Sequence, residues 1–194
     1  MNDRHHSDRK LLALANVLMP GAAAALLAVV FGVGWFTQPD RYEKGFAPQQ
    51  PIPYSHRIHA GTLKIPCLYC HGGAATSRLA GVPAVETCMN CHRVTKIESP
   101  YIQKLTKAYE SGTPIFWRRV HALPDHVFFD HRPHVNGGIA CQVCHGPVET
   151  MEAISQEMSL RMGNCLGCHR DPHGALPKDS KILQGPDHCN ACHR

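Results

Sequence analysis

The placement of the cysteines constrains this chain more than any other feature. All ten cysteines fall into five Cys-x-x-Cys-His strings, and none is left over. Two thiols at this spacing can form thioethers with both vinyl groups of one haem, while the adjacent histidine holds the iron from the proximal side. The strings therefore predict five covalently attached c-type haems. The predicted thioether residues are Cys67, Cys70, Cys88, Cys91, Cys141, Cys144, Cys165, Cys168, Cys189 and Cys192, and the predicted proximal ligands are His71, His92, His145, His169 and His193.

Zinc sites and disulfide frameworks also use paired cysteines. Zinc ribbons do not require a histidine directly after the second cysteine. A disulfide framework would leave the five histidines unexplained. The recurring histidine therefore favours haem over both. The net charge of +5 has a local explanation, because arginines and lysines can pair with haem propionates, and it does not indicate a nucleic-acid partner.

Composition agrees with a chain that folds around cofactors. Aromatic residues make up 7% of the chain, while glycine and proline number 16 and 15. A chain of this kind has few large side chains with which to build a core, and haems would supply the missing apolar mass. We therefore expect a mostly irregular fold with short α-helices wrapped around the haems.

The N-terminal segment predicts a membrane anchor. Residues 11–36 contain no charged side chain, and as a helix they would extend roughly 39 Å, enough to cross the hydrocarbon core. Arg4, Arg9 and Lys10 precede them and place residues 1–10 in the cytoplasm. A cleaved signal peptide is the alternative, but its apolar region would be only about 7–15 residues long. We expect an uncleaved, single-pass anchor in the lipid of the cytoplasmic (inner) membrane, with the haem domain in the periplasm.

The chain after the anchor contains an internal duplication. A proline-rich linker, residues 37–53, leads into the pattern aromatic-x-His-x-x-His, a haem string, a spacer and a second string ending in His-Arg. The pattern occurs at 54–98 and again at 124–170, which predicts two copies of a two-haem module. A connector helix and loop would occupy 99–123, and 171–194 would hold the fifth haem.

The His-x-x-His element of each copy predicts distal iron ligands. Electron-transfer haems need a second axial ligand, and two histidines three residues apart on a helical turn can reach two different irons. The first copy contains His56 and His59, and the second contains His131 and His134. The two copies therefore supply four distal ligands for four haems.

The fifth distal ligand has several candidates. His121 is favoured because it lies shortly before the second His-x-x-His element, in the run Trp-Arg-Arg-Val-His. A methionine competes, because Met/His ligation raises the haem potential. The remaining candidates are His126, His173, Met151, Met158 and Met162. With a distal ligand for every iron, no catalytic residue is predicted. We expect an electron-transfer subunit of an oxidoreductase complex, not an enzyme on its own.

The His-x-x-His element before a haem string resembles the class III multihaem cytochromes. That resemblance implies a small fold made of little more than haems and loops. It also implies that the first histidine of each pair, His56 or His131, ligates the haem attached directly after it. The second histidine, His59 or His134, would then reach another iron.

A closer resemblance covers nearly all of the chain. The anchor, the duplicated module with five haem strings, and the stretch 117–129 are similar to the pentahaem subunit of alternative complex III. His126 departs from that pattern, which has an aromatic residue there. The resemblance implies a complex that oxidises membrane quinol, with an iron–sulfur subunit and a monohaem cytochrome subunit as partners. It also implies a soluble periplasmic electron carrier as the final acceptor.

We therefore predict a membrane-anchored pentahaem cytochrome c within a respiratory or photosynthetic complex. It would carry electrons from a quinol-oxidising or iron–sulfur partner to a periplasmic monohaem cytochrome or copper protein. The alternative is a stand-alone quinol dehydrogenase that feeds a periplasmic reductase. Those proteins typically carry a methionine two residues after the first haem string, where this chain has Gly73. A haem-bearing scaffold or sensor is a third class.

Overall fold

The computed structural model describes residues 2–38 and 43–193, with side chains from residue 14 onward. The chain divides into two units, one that ends at residue 42 and one that begins at Glu43. Pro39, in the predicted linker, and Met1, in the predicted cytoplasmic segment, lie outside the described residues. The described part contains helices and irregular segments but no strand. The predicted fold of short helices joined by irregular chain is therefore confirmed.

The first unit contains one long helix. Helix α1 spans Asn2–Phe36, with Pro20 inside it. Its portion Leu14–Phe36 has the length and composition needed to cross a membrane, extending about 35 Å. Apolar side chains along it, such as Val29 and Phe31, are exposed. A signal sequence near an N-terminus passes the same test of length and composition, so α1 fits an anchor and a leader alike.

The second unit is built from short helices, and every haem string forms or ends one of them. The α-helices are α2 (Cys67–Cys70), α3 (Gly73–Thr76), α4 (Val85–His92), α5 (Pro100–Ser111), α6 (His131–Asn136), α7 (Gln142–His145), α8 (Met162–Arg170) and α9 (Cys189–Cys192). A π-helical segment covers Arg57–Thr62 and a 3₁₀ turn covers Val148–Thr150. Because residues three apart share one side of a helical turn, both thiols of a string lie on the same side.

A small apolar core lies where α4 and α5 pack. Helix α5 begins with Pro100, which suits a first helical position, and ends at Gly112, whose φ of 64° is left-handed. Ile52, Met89 and Leu105 are buried together. Partly buried apolar side chains surround them: Val85, Cys88, Ile102, Tyr109, Ile115 and Trp117. This core fixes the string of α4 against the connector.

The two sequence repeats are tied together at two places. In one, the backbone nitrogen of His131 at the start of α6 donates to the backbone oxygen of Arg78, over 3.2 Å. In the other, Arg57 donates its backbone N–H to the oxygen of Met151 over 2.9 Å and pairs its guanidinium with Glu152. Contacts between residues so far apart in sequence bring the first and third haem strings close together.

Candidate haem-binding sites

Each haem string brings its histidine opposite a second histidine from another part of the chain. We number the sites by the order of their strings: site 1 is residues 67–71, site 2 is 88–92, site 3 is 141–145, site 4 is 165–169 and site 5 is 189–193. Two imidazoles that ligate one metal ion from opposite sides, through bonds of about 2.0 Å, have ring centroids roughly 6 Å apart. That separation is the test of fit for each pair.

Sites 1 and 3 have nearly identical histidine pairs. The ring centroids of His56 and His71 are 6.5 Å apart and their planes differ by 7°. Those of His131 and His145 are 6.4 Å apart and differ by 5°. In both sites the first histidine of the His-x-x-His element lies opposite the string that follows it directly. Both pairs fit two axial ligands of one haem iron.

Sites 2 and 4 use the second histidine of each element. The centroids of His59 and His92 are 6.1 Å apart with planes at 58°. Those of His134 and His169 are 5.9 Å apart with planes at 30°. The two histidines of each His-x-x-His element therefore lie opposite the two strings of their own repeat.

The structure places His126 at site 5, which differs from the choice of His121 made from the sequence. The centroids of His126 and His193 are 5.7 Å apart, with planes at 17°. Nδ1 of His193 donates to the backbone oxygen of His126 over 3.2 Å, and the nitrogen of Phe128 donates to the oxygen of Cys192 over 2.7 Å. This backbone pairing holds the segment of His126 against the last string.

His121 lies beside the string histidine of site 3. Its Nε2 is 3.3 Å from Nδ1 of His145. The two ring planes stand at 82° and their centroids are 4.5 Å apart, too close and too steep for two ligands on opposite sides of one iron. Of the other candidates for the fifth distal position, His173 and Met162 are exposed, while Met151 and Met158 are half-buried.

The hydrogen bonds of the string histidines leave the ligating nitrogen available. A histidine that binds iron through Nε2 normally donates its Nδ1–H to a nearby acceptor, which fixes the ring orientation. The Nδ1 partners are the backbone oxygens of Gly81 for His71 (2.7 Å), Thr95 for His92 (3.1 Å), Pro186 for His169 (2.6 Å) and His126 for His193 (3.2 Å), and Nε2 of His121 for His145. All five string histidines thus engage Nδ1.

Burial keeps several of these imidazoles neutral. It lowers the pKa of His56 and of His145 to about 4, in each case with a smaller contribution from neighbouring histidines. Burial also lowers the pKa of His134 and His121. Neutral imidazole is the form that binds a metal. The lowered pKa of His56, His134 and His145 therefore favours the neutral form that can bind iron.

The thiols and the ligand count fit haem better than zinc. All ten cysteines are free of disulfides. Within the described residues, no group of three or more His, Cys, Asp or Glu side chains is placed to hold a metal ion. Structural zinc needs four protein ligands, whereas haem iron takes four nitrogens from the porphyrin and needs only two axial ligands. The paired histidines supply those two.

Thiols of different strings lie near one another and reveal which sites are neighbours. Burial raises the pKa of Cys88, Cys141, Cys144 and Cys165, and a thiol of another string adds to each shift. The contributing partners are Cys70 for Cys88, Cys67 for Cys141, Cys168 and Cys165 for Cys144, and Cys192 for Cys165. Sites 1 and 2, 1 and 3, 3 and 4, and 4 and 5 are therefore adjacent.

Comparison with known proteins agrees with this chemistry. Residues 127–194 match the family described as cytochrome c7 and related cytochrome c. The chain is also similar to the menaquinone reductase multihaem cytochrome c subunit of Nitratidesulfovibrio vulgaris. The two are 24% identical over 196 residues, which cover 90% of this chain and 89% of that protein. Residues 127–194 are therefore cytochrome c7-like, and the comparisons support a helical multihaem fold with covalently bound c-type haem and a role in electron transfer.

Proposed function

We propose that this chain is the pentahaem electron-transfer subunit of a membrane complex that exchanges electrons with the quinone pool. The observation that carries the proposal is the set of five histidine pairs with centroids 5.7 to 6.5 Å apart. Each bound haem would supply a one-electron Fe(III)/Fe(II) couple. Two histidines per iron leave no coordination position for a substrate, which favours electron transfer over chemistry at the iron.

We infer that the attachment sites form one row in the order 2, 1, 3, 4, 5, because thiols of successive sites in this order lie near one another. His56 and His59 hold sites 1 and 2 together, and His131 and His134 hold sites 3 and 4. Contacts of His131 with Arg78 join the first repeat to the second. Nδ1 of His169 donates to Pro186, three residues before the last string, which joins sites 4 and 5. The polypeptide thus supports a single electron path with sites 2 and 5 at its ends.

The proposed setting is the periplasmic face of the cytoplasmic membrane, with residues 11–36 as an uncleaved anchor. The apolar stretch Leu14–Phe36 supports this, as does similarity over 90% of the chain to a subunit of a menaquinone reductase. The resemblance to the pentahaem subunit of alternative complex III supports an iron–sulfur subunit and a monohaem cytochrome subunit as partners. Electrons would then leave for a periplasmic monohaem cytochrome or copper protein.

In a second candidate function, electrons flow in the opposite direction, toward the quinone. The name of the Nitratidesulfovibrio vulgaris relative, a menaquinone reductase subunit, favours it. The same row of sites would serve either direction, because a path of reversible one-electron carriers has no built-in direction. The potentials of the donor and the acceptor decide between the two.

Purification of the full chain from its membrane in mild detergent tests the proposal. We expect a mass corresponding to five attached haems, retention of the N-terminal peptide, and co-migrating membrane and iron–sulfur subunits. Stopped-flow mixing then compares the complex with the separated chain. Rapid reduction of the separated chain by quinol would support the stand-alone quinol dehydrogenase instead. Faster turnover from reduced cytochrome to menaquinone than from menaquinol to cytochrome would support the second candidate.

A further inference from the structure

His121 has a contact that the proposed function does not use. Its Nε2 lies 3.3 Å from Nδ1 of His145, and the two rings stand at 82°. Both side chains are half-buried. The inference below rests on the proposed function in one respect, because it takes His145 and His131 as the axial ligands of site 3.

Site 3 differs from the other four sites in the hydrogen-bond partner of its string histidine. The string histidines of sites 1, 2, 4 and 5 donate their Nδ1–H to a backbone oxygen. At site 3 the partner is a side-chain nitrogen. A backbone oxygen is present whatever the residue type, whereas a side-chain partner exists only because the sequence encodes it. The proximal ligand of site 3 therefore has a hydrogen bond that substitution can remove.

The direction of this hydrogen bond follows from the ligation. When Nε2 of His145 binds iron, Nδ1 is the nitrogen that carries the proton, so it is the donor. Nε2 of His121 must then accept with its lone pair, and the proton of His121 lies on Nδ1. An acceptor at this position makes the proximal imidazole a stronger electron donor to iron, as partners of metal-bound histidines do in general.

The connector holds His121 in place for this role. Gln50 exchanges two hydrogen bonds with the backbone of Arg118, over 3.0 and 2.9 Å. Trp117 packs against the core of α4 and α5, and Val120 is 9% exposed. The residues that lead to His121 are thus fixed to the linker and to the core. The backbone that leads into His121 is therefore held in place, and its ring contacts His145.

We propose that His121 is a positioning residue for site 3. It accepts the hydrogen bond of the proximal ligand His145, orients that imidazole, and lowers the reduction potential of this haem relative to the same site without the acceptor. The residue binds no iron itself. Its effect is confined to the middle of the row of sites.

The test uses the full haem-loaded chain in detergent and its variants His121→Phe and His121→Gln. Phenylalanine keeps a ring but has no acceptor, so one of the five midpoint potentials should rise while four stay unchanged. Glutamine offers a carbonyl oxygen and should return that potential toward the wild-type value. All haems should remain low-spin in the electron paramagnetic resonance spectrum. His173→Phe, at an exposed histidine, is the matched control and should change nothing.

Three results would overturn the inference. One is an unchanged set of potentials in a fully haem-loaded His121→Phe protein. Another is a high-spin haem in that variant, which would make His121 an iron ligand. The third is a glutamine variant that behaves like phenylalanine, which would indicate a packing role only. If His121→Phe does not fold, His121→Leu takes its place with the same expectations. Failure of the proposed ligation of site 3 would be recognised separately. In that case the His131→Ala variant would keep every haem low-spin.

Discussion

The two sequence repeats share the histidine geometry of their first site almost completely. The histidine pairs of sites 1 and 3 differ by 0.1 Å in separation, 6.5 against 6.4 Å. The aromatic residue before each element makes the same contact: Tyr54 with His56 and Phe129 with His131, each at 4.8 Å and 83°. Duplication has thus preserved the arrangement of the aromatic residue and the first histidine pair in each repeat.

The repeats differ in the hydrogen bonds around that arrangement. Nδ1 of His131 donates to the oxygen of Arg78 over 2.9 Å, whereas Nδ1 of His56 is buried without a hydrogen-bond partner among the described residues. Behind the proximal ligands, His71 meets a backbone oxygen and His145 meets His121. Since such partners tune metal-bound histidines, we expect matching ligation but different potentials in the two repeats.

The strongest test of the shared arrangement removes one distal ligand from each repeat. His56→Ala and His131→Ala should each convert one of the proposed five haems from low-spin to high-spin, because one axial position loses its imidazole. Electron paramagnetic resonance of the oxidised proteins measures this. His173→Ala is the control. If one variant changes the spin state and the other does not, the repeats do not share their ligation.

Site 5 tests whether ligation by two histidines also occurs at a haem string outside the repeats. His126→Ala should produce one high-spin haem, as the two variants above do, because His126 lies opposite His193. The oxidised wild-type protein should also lack the near-infrared band of sulfur-to-iron ligation. A band that disappears on Met151→Leu, Met158→Leu or Met162→Leu would instead assign the fifth position to a methionine.

Local spacing explains what the sequence could predict. Each haem string is a single helical turn, and each His-x-x-His element is another, so the strings and the two elements are visible without any knowledge of the fold. The fold class followed from the same strings together with the scarcity of large apolar residues. The apolar run within α1 was likewise readable from composition alone.

Long-range backbone pairing explains what the sequence could not predict. His126 reaches site 5 because its backbone oxygen accepts from His193, 67 positions along the chain. The sequence around either residue does not predict its contact with the other. His121 ends the run Trp-Arg-Arg-Val-His, yet Trp117 and Val120 are packed so that His121 contacts His145 of site 3. The adjacency of sites 1 and 3 likewise depends on a long-range contact, between His131 and Arg78, 53 positions apart, which spacing does not reveal.

A substitution at Gly61 should have a smaller effect and should distinguish the packing of the two repeats. A Cβ at Gly61 would overlap the backbone oxygen of Glu149, which has no room to move as a side chain would. The corresponding residue of the second repeat is Asn136, which donates to the oxygen of Ala75 over 3.3 Å from an exposed position. We expect Gly61→Ala to lower the free energy of unfolding by about 1–3 kcal/mol.

Denaturant unfolding followed by haem absorbance measures this effect. Asn136→Ala is the matched control and should cost less, because it removes one exposed hydrogen bond and introduces no overlap. An equal or larger loss in the control would show that the close approach between the π-helical segment Arg57–Thr62 and the turn Val148–Thr150 matters less than the structure indicates.

The smallest expected difference concerns two arginines that correspond in the repeats. Arg57 pairs with Glu152, 95 positions away, whereas Arg132 pairs with Asp130, two positions away. Both pairs are exposed, so each contributes little to stability. Arg57→Gln should nevertheless lower the denaturation midpoint more than Arg132→Gln, because only the first pair joins distant parts of the chain.

Acid should remove this difference. Hydrogen bonds from Ser55 and Arg57 hold the pKa of Glu152 below its usual value, and the bond from Arg132 does the same for the pKa of Asp130. A carboxyl whose folded pKa is lowered stabilises the fold above its unfolded pKa of about 4, and that contribution is lost as the pH falls through the folded value. Wild type and Arg57→Gln should therefore differ at neutral pH and converge in acid. A gap that persists at low pH would mean that Arg57 acts through the packing of its aliphatic stem, and the contrast between the two arginines would then not be one of charge.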